Sequence, residues 1–332
     1  MVSISGASLS RILVTGASGF VGSALCSYLL AQGHAVRAAV RSADSVLSGA
    51  GLDVVAVGDV GAQTDWSAAL VGVDCIVHCA ARAHVMHEAA ADALAAYRTV
   101  NVVGTHRLAE QASTLGVRRL VFLSSIKVNG EKTPLGTPFL FSDVSAPEDP
   151  YGVSKWEAEQ ALWAVSAQMR LEVVVVRSPL IYGPGVKGNL LRLLRWVARG
   201  VPLPLGAVHN QRSLVGLSNL VNLLSRCVEH SAAAGQTFLA SDGHDFSTPQ
   251  LIRWMAEGMN RPARLLPVPV ALLQAGGSLL GKRGEFDRLL GSLQVDSEYT
   301  RAQLGWSPPM SVKDGVRDMA RWYARLQDTQ AG

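Results

Sequence analysis

The chain has little of what would mark several whole classes of protein. Only four of its 332 residues are cysteine (Cys26, Cys75, Cys79, Cys227), with no C-x-x-C pair and no His/Cys cluster at zinc spacing. That excludes a disulfide-built scaffold and a zinc module, and no metal site is expected. The apolar surroundings of each cysteine fit free thiols in a reducing cytosol. Charge of one sign is also scarce. Thirty Lys+Arg against 26 Asp+Glu leaves +4 with no basic block, so no nucleic-acid groove is expected. Charged residues make up 17% and hydrophobic ones 48%, which excludes a disordered chain. No window reaches about 18 uninterrupted apolar residues, so no membrane insertion is expected. The most apolar stretch, Leu265–Gly281, is broken by Pro267, Pro269, Gln274, Gly276 and Gly277 and reads as a buried or pocket-covering helix. Met1–Ser10 has no Lys or Arg ahead of an apolar run, so no targeting segment is read and a cytoplasmic protein is expected.

What is present is an alternation of short apolar runs with segments of helical period. Strands are predicted at Arg11–Thr15, Ala35–Val40, Asp53–Val57, Cys75–Cys79, Leu120–Ser124 and Leu171–Arg177. Helices are predicted at about Gly19–Gln32, Tyr97–Leu115 and Tyr151–Met169. Strands apolar on both faces and separated by helices build a parallel sheet covered on both sides. The fold class is therefore α/β, a doubly wound parallel sheet of the Rossmann type, over residues 1–182. After Tyr182 the break Gly183-Pro184-Gly185 and a scatter of prolines change the texture, with helices expected at Asn189–Arg199, Ser218–His230 and Pro249–Asn260. Residues 183–332 read as a smaller substrate-binding region at the sheet's carboxyl edge, where the chain can cross back to the sheet.

The sequence from Ile12 reads I-L-V-T-G-A-S-G-F-V-G, which sets Gly16, Gly19 and Gly22 between a strand and a helix. Gly16 permits a tight turn, Gly19 lets a pyrophosphate reach the helix N-terminus, and Gly22 lets helix and strand pack closely. A bare glycine pattern could be an ordinary turn; the strand–turn–helix context makes it a dinucleotide loop. An NAD site would carry an acid at the end of the second strand. Here that strand reads Val36-Arg37-Ala-Ala-Val40-Arg41, and the nearest acid, Asp44, lies past its end. Arg41, assisted by Arg37, suits an adenosine 2′-phosphate, so NADP(H) is preferred over a possible NAD(H).

Tyr151-Gly-Val-Ser-Lys155 places a phenol and an ammonium four residues apart, on one face of a helix. A nearby cation lowers a phenol's pKa, so Tyr151 can pass a proton while hydride moves at the carbonyl carbon. Lys155 could also hold the nicotinamide ribose. Alone, this pairing is common on surfaces. Ser124-Ser125 closes a strand 26 residues earlier, followed by a Gly/Pro/Ser/Asp-rich connection, and Ser125 can orient a substrate oxygen toward Tyr151.

The glycine spacing and the Ser–Tyr–Lys order together resemble the extended short-chain dehydrogenase/reductase superfamily, in its NAD-dependent epimerase/dehydratase branch. His78-Cys79-Ala80-Ala81, Asp59-Val60, Asn101-Val-Val-Gly-Thr105 and Arg177-Ser-Pro179-Leu-Ile-Tyr182-Gly-Pro-Gly185 resemble that family's other motifs. The resemblance covers nearly the whole chain. It implies catalysis by Ser125, Tyr151 and Lys155. It implies a cofactor held by Gly16, Ser18, Gly19, Phe20, Val21, Gly22, Arg41, Asp59, Val60, Ala80, Ala81, Asn101, Ser124, Tyr151, Lys155 and Pro179. A nucleotide-sugar substrate would meet Arg82, His84, Ser125, Lys127, Tyr151, Asn189 and Arg212. A homodimer through Tyr97–Leu115 and Tyr151–Met169 is implied as well. Where 4-epimerases commonly read S-S-x-x-V-Y-G, this chain has Lys127 and Asn129. With Arg82, His84 and the apolar Leu265–Leu293, these departures resemble 4-reductases of UDP-4-keto-6-deoxy-N-acetylhexosamines in surface-polysaccharide synthesis. Reduction of such a 4-keto group is the expected function. A UDP-hexose or UDP-N-acetylhexosamine 4-epimerase with tightly held NAD is the alternative, and a hydroxysteroid- or flavonoid-type ketoreductase a further one. A cofactor-sensing binding protein would require loss of Ser125, Tyr151 or Lys155, and none is lost.

Overall fold

The computed structural model describes residues 10–42, 51–83, 93–279 and 289–331. In chain order the first part runs β1 (Arg11–Thr15), α1 (Phe20–Ala31), β2 (Ala35–Val40), β3 (Leu52–Ala56), α2 (Ser67–Leu70), β4 (Cys75–His78), α3 (Ala93–Arg98), α4 (Thr105–Thr114), β5 (Arg119–Ser125), α5 (Pro150–Gln168) and β6 (Glu172–Ser178). Then come β7 (Ile181–Tyr182), α6 (Gly188–Ala198), β8 (Val215–Gly216), α7 (Leu217–Glu229), β9 (Thr237–Leu239), α8 (Thr248–Gly258), α9 (Val270–Leu279), α10 (Glu298–Leu304) and α11 (Val312–Ala331).

Seven strands pair in parallel in the order β3-β2-β1-β4-β5-β6-β9. This is the doubly wound α/β architecture expected from the alternating runs. The order reverses between β1 and β4, and ligands of open α/β sheets bind outside the carboxyl ends at such a switch point. β4 is buried at every position, as a central parallel strand must be. One face of the sheet is covered by α1 and α7, whose Leu25, Leu29, Leu220 and Leu224 share a core with Ile12 and Val14. The other face packs Leu13, Ile76 and Phe122 against Leu108 of α4 and Leu162 of α5.

The chain beyond Tyr182 builds a second core from α6, α8 and α11, around Leu194, Met255 and Met319. It also returns to the sheet: β9 pairs with β6, Val175 opposite Thr237 and Arg177 opposite Leu239. The connection between β5 and α5 is tied to the C-terminal part as well. Thr133 N–H donates to the Ser292 carbonyl at 3.0 Å and Phe139 N–H to that of Gln294 at 2.9 Å.

The helix expected over Tyr97–Leu115 differs in its middle. Residues Thr99–Gly104 widen into π-type turns between α3 and α4. There Gly104 lies so close to Val60 that a Cβ would sit 2.5 Å from its Cγ1. Such bulges accompany functional positions, and Asn101 is inside this one. Cys26, Cys75 and Cys227 are buried free thiols, whereas Cys79 is only partly buried. Among the described residues no helix is long and apolar enough to cross a membrane.

Candidate active site

The glycine loop leaves β1 at its carboxyl end. Gly16 has φ +64°, a left-handed conformation that L side chains rarely adopt, and a Cβ there would lie 2.8 Å from Ala80 N and Cα. The loop after β4, with Ala80 and Ala81, therefore lies against the turn. Gly22 is closer still: its Cβ would meet the Gly16 carbonyl oxygen at 2.2 Å. Gly19 caps α1 without any side-chain hydrogen bond, so the first N–H groups of the helix face outward. They open on a cavity of about 390 Å³ lined by Ser18, Gly19, Phe20, Gly185 and Lys187. A backbone cradle that a methyl group would fill, at a helix N-terminus and beside a lysine, fits a dinucleotide pyrophosphate. Val21 is buried in the core behind it.

At the adenosine end the expected cations have other partners. Arg37 Nε donates to Asp53 at 2.6 Å, and its Nη1 to the carbonyls of Ala69 and Val71 at 3.0 and 2.9 Å. It is held under the strand edge and does not assist Arg41. Arg41 itself is exposed and pairs with Asp59 at 2.9 Å. Val60 sits half-buried against Gly104. Asp44 and His84 lie outside the described residues.

Behind the loop is buried His78, which sequence reasoning placed in a motif without giving its imidazole a role. The ring nitrogens of His78 lie 2.6 Å from Thr15 Oγ1 and 2.9 Å from Thr105 Oγ1, and Ala80 N–H donates to the same Thr15 oxygen at 3.2 Å. Burial, with the nearby Lys155 charge, pushes its pKa down to about 3. It is a neutral pin joining β1, β4 and α4. Its motif marks the loop but not the pin, because Thr15 and Thr105 lie 63 and 27 residues away along the chain.

The first turn of α5 lies over the end of β5. Asp149 caps the helix by accepting from Gly152 N–H at 2.6 Å, and Pro150 opens it. A Cβ on Gly152 would lie 2.8 Å from the Lys127 carbonyl, and Lys155 Nζ donates to the Leu123 carbonyl at 2.7 Å. Ser125, Tyr151 and Lys155 are thereby gathered at one end of the sheet. Ser125 Oγ accepts a long bond from Lys127 N–H at 3.3 Å. Tyr151 is half-buried with its ring edge-on to Tyr97, centroids 5.9 Å apart. Lys155 is buried, its ammonium 3.9 Å above the Phe122 ring. The electrostatics differ from the expected cation-lowered phenol. Burial, then Asp149 and Tyr97, push Tyr151 up to about 12. Burial pushes Lys155 down to about 7, opposed by the Glu159 charge. Without substrate, Tyr151 rests as the protonated phenol.

Several residues expected at the cofactor or sugar make hydrogen bonds within the protein. Ser124 Oγ donates at 2.5 Å to Glu159, which is wholly buried. Asn101 uses its whole amide as a clamp: Oδ1 accepts from Arg82 N–H at 2.8 Å, and Nδ2 donates to the Arg82 carbonyl at 3.1 Å and to Ser154 Oγ at 2.9 Å. It positions the Arg82 backbone against α5. Lys127 Nζ pairs with Glu131 at 2.6 Å and with Asp149. Asn129 is buried, accepting from Arg177 at 3.0 Å. The polar anchors expected from Lys127 and Asn129 are thus already engaged within the protein. Pro179 is buried just past β6. Asn189 is exposed on α6 and accepts from Arg192 at 3.2 Å. Arg212 is half-buried, with Nη1 on the Gly291 carbonyl at 3.1 Å, and burial lowers its pKa. Sequence reasoning also missed Glu159 and Asp242. The latter accepts from Tyr182 at 2.6 Å and Asn219 at 2.8 Å, fastening the Tyr-Gly-Pro-Gly turn.

With this geometry in hand, comparison with known proteins is specific. Residues 12–240 match the NAD dependent epimerase/dehydratase family. A UDP-glucose 4-epimerase of Vibrio cholerae is 47% identical over 319 residues, covering 96% of each chain. The N-acetyl-α-D-glucosaminyl-diphospho-ditrans,octacis-undecaprenol 4-epimerase of Escherichia coli O157:H7 is 29% identical over 272 residues, 79% of this chain and 77% of its own. Among solved structures, MoeE5 in complex with UDP-glucose and NAD superposes with a TM-score of 0.75 at 25% identity, over 96% of this chain and 99% of that one.

Proposed function

Because the chain belongs to the NAD dependent epimerase/dehydratase family, we propose that this sugar-nucleotide-modifying enzyme inverts C4 of a UDP-linked hexose or N-acetylhexosamine, with NAD as its resident cofactor. The observation that carries the reading is the near full-length 47% identity to a UDP-glucose 4-epimerase. A second 4-epimerase among the relatives agrees with it. The expected one-way 4-reductase rested on extra anchors at Arg82, His84, Lys127 and Asn129. Lys127 and Asn129 are occupied by protein partners, which removes much of its support. NAD is favoured over NADP because Asp59 already balances Arg41 at the adenosine end, and because the MoeE5 neighbour holds NAD.

When bound, NAD supplies acceptance and return of the hydride at C4. The chain's own residues manage the proton. Ser125 donates to the sugar O4 and aligns it with Tyr151. Tyr151 first releases its phenolic proton to solvent; the phenolate then takes the O4 proton as C4 is oxidised and returns it once the 4-keto sugar has turned over in the site. Since Tyr151 rests as a phenol, that exchange depends on the Lys155 charge one helical turn away. Residues 183–332 form the sugar-nucleotide side, with Asn189 and Arg212 as its candidate contacts. A homodimer through α4 and α5 belongs to the same proposal, supported by the exposure of Val103 and Trp156 on that surface.

The test is to give the purified protein UDP-glucose or UDP-N-acetylglucosamine without added reductant. The expected outcome is conversion to the galacto form with no net change in nicotinamide absorbance, and NAD released on denaturation. Stoichiometric NADPH consumption on a UDP-4-keto-6-deoxy-N-acetylhexosamine, without any epimerisation, would restore the reductase.

A further inference from the structure

Beneath the serine end of β5 lies a buried ion pair, Glu159 with Arg177. Glu159 is fully buried and Arg177 nearly so. Arg177 grips both carboxylate oxygens, with Nε at 3.1 and 3.2 Å and Nη2 at 2.7 Å. Ser124 Oγ donates to the same carboxylate at 2.5 Å. Two further guanidinium N–H groups reach Asn129 Oδ1 at 3.0 Å and Ser145 Oγ at 3.1 Å. The pair therefore joins β5, β6, α5 and both ends of the connection between β5 and α5. Those elements carry Ser125 and the Tyr151–Lys155 couple, and β6 leads directly into Pro179.

As a source of stability such a pair is a poor choice. Desolvation roughly cancels the attraction, and an apolar pair of similar volume often serves as well. What a forked, multiply bonded pair does supply is fixed geometry. A displacement of about 1 Å at reacting groups can cost on the order of 10²-fold in rate.

We propose that Glu159 and Arg177 act as one positioning pair for the site, locking the Ser125 strand against the Tyr151–Lys155 helix and presenting the Glu159 carboxylate to Lys155. The inference rests on the proposed function for its kinetic half only. Among the described residues, the groups facing Lys155 are the Leu123 carbonyl and the Phe122 ring from β5, His78 from β4, Cys79 just past it, and Glu159 from its own helix. His78 is held neutral, and burial pushes the Cys79 thiol up to about 12. Glu159 is thus the anion among them, and its field favours the charged lysine.

Glu159→Gln alone strands a buried guanidinium and risks unfolding the chain. The informative variant is Glu159→Gln/Arg177→Met, which removes both charges and keeps an acceptor for Ser124. It is compared with wild type in full-length form by thermal melting, by kcat and KM for UDP-glucose, and by NMR titration of labelled Lys155. The expected result is a folded protein whose kcat falls about 10–10²-fold while KM stays within about threefold. Its Lys155 should titrate lower, because Glu159 is the charge that favours the ammonium and Arg177 is not among the groups that act on it. A folded double variant with wild-type kcat, or with an unmoved Lys155 titration, would overturn the proposal and leave the pair as packing alone. The titration needs no turnover. If wild type proves inactive on UDP-glucose, the functional reading fails, and the Lys155 shift still decides for or against the pair.

Discussion

Tyr151 is the side chain on which the proposed chemistry turns, and its test is a single oxygen atom. Tyr151→Phe keeps the ring against Tyr97 and removes only the hydroxyl. The expected loss is about 10²–10⁴-fold in kcat, with NAD content unchanged, read by steady-state kinetics and by cofactor released on denaturation. Near-normal turnover would remove Tyr151 from the reaction. This residue was legible in the sequence because serine, tyrosine and lysine come in a fixed order at fixed spacing. Their neighbours were not, because each neighbour's partner is distant along the chain. Ser124 meets Glu159, 35 residues on, and Asn129 meets Arg177, 48 residues on. Lys127 meets Asp149 across 22 residues. A polar side chain beside a catalytic serine reads as pocket lining until the fold shows which partner has claimed it.

Between the strand and the helix of the glycine loop there is no room for one methyl group. Gly22→Ala would set a Cβ 2.2 Å from a backbone oxygen that cannot rotate away. The helix must shift, so we expect about 1–3 kcal/mol of destabilisation. Weaker NAD binding should follow, because the N–H groups of α1 move with it. Denaturant melts and NAD titration check both; a variant of unchanged affinity would mean that α1 can slide without disturbing the cradle. Elements of this kind were legible from periodicity, and most of their ends fell within a residue or two, although the helix expected from Tyr97 begins at Ala93. The π-type turns at Thr99–Gly104 were not, since the apolar rhythm continues on either side of them. β9 is only three residues long and β7 and β8 only two each, too short for alternation to register.

For the molecule as a whole, the pinned histidine links folding to acidity. His78 joins β1, β4 and α4, and its pKa is about 3 in the fold against 6.5 for the free side chain. Below pH 6.5 the unfolded chain takes up a proton that the folded one refuses. Stability therefore falls as pH drops from about 6.5 toward 3, and this group adds no pH dependence above that window. Between pH 7.5 and 5.5 its share is about 1.4 kcal/mol. His78→Gln should lose that share, seen as a flatter stability curve in urea melts at the two pH values; parallel curves would show that His78 is protonated without penalty. The doubly wound architecture was legible from the sequence, and so was the change of texture after Tyr182. The return of the chain to the sheet was not fixed by any local signal. That return has a consequence during synthesis. β6 leaves the ribosome about 60 residues ahead of β9, an interval of roughly 3–12 s at about 5–20 residues per second. Throughout it, the row of valines from Val173 to Val176 presents an unpaired strand edge to its surroundings. A nascent chain stalled before Leu239 would carry a ready template for mispairing, and the sheet closes only when the ribosome has delivered the strand that covers it.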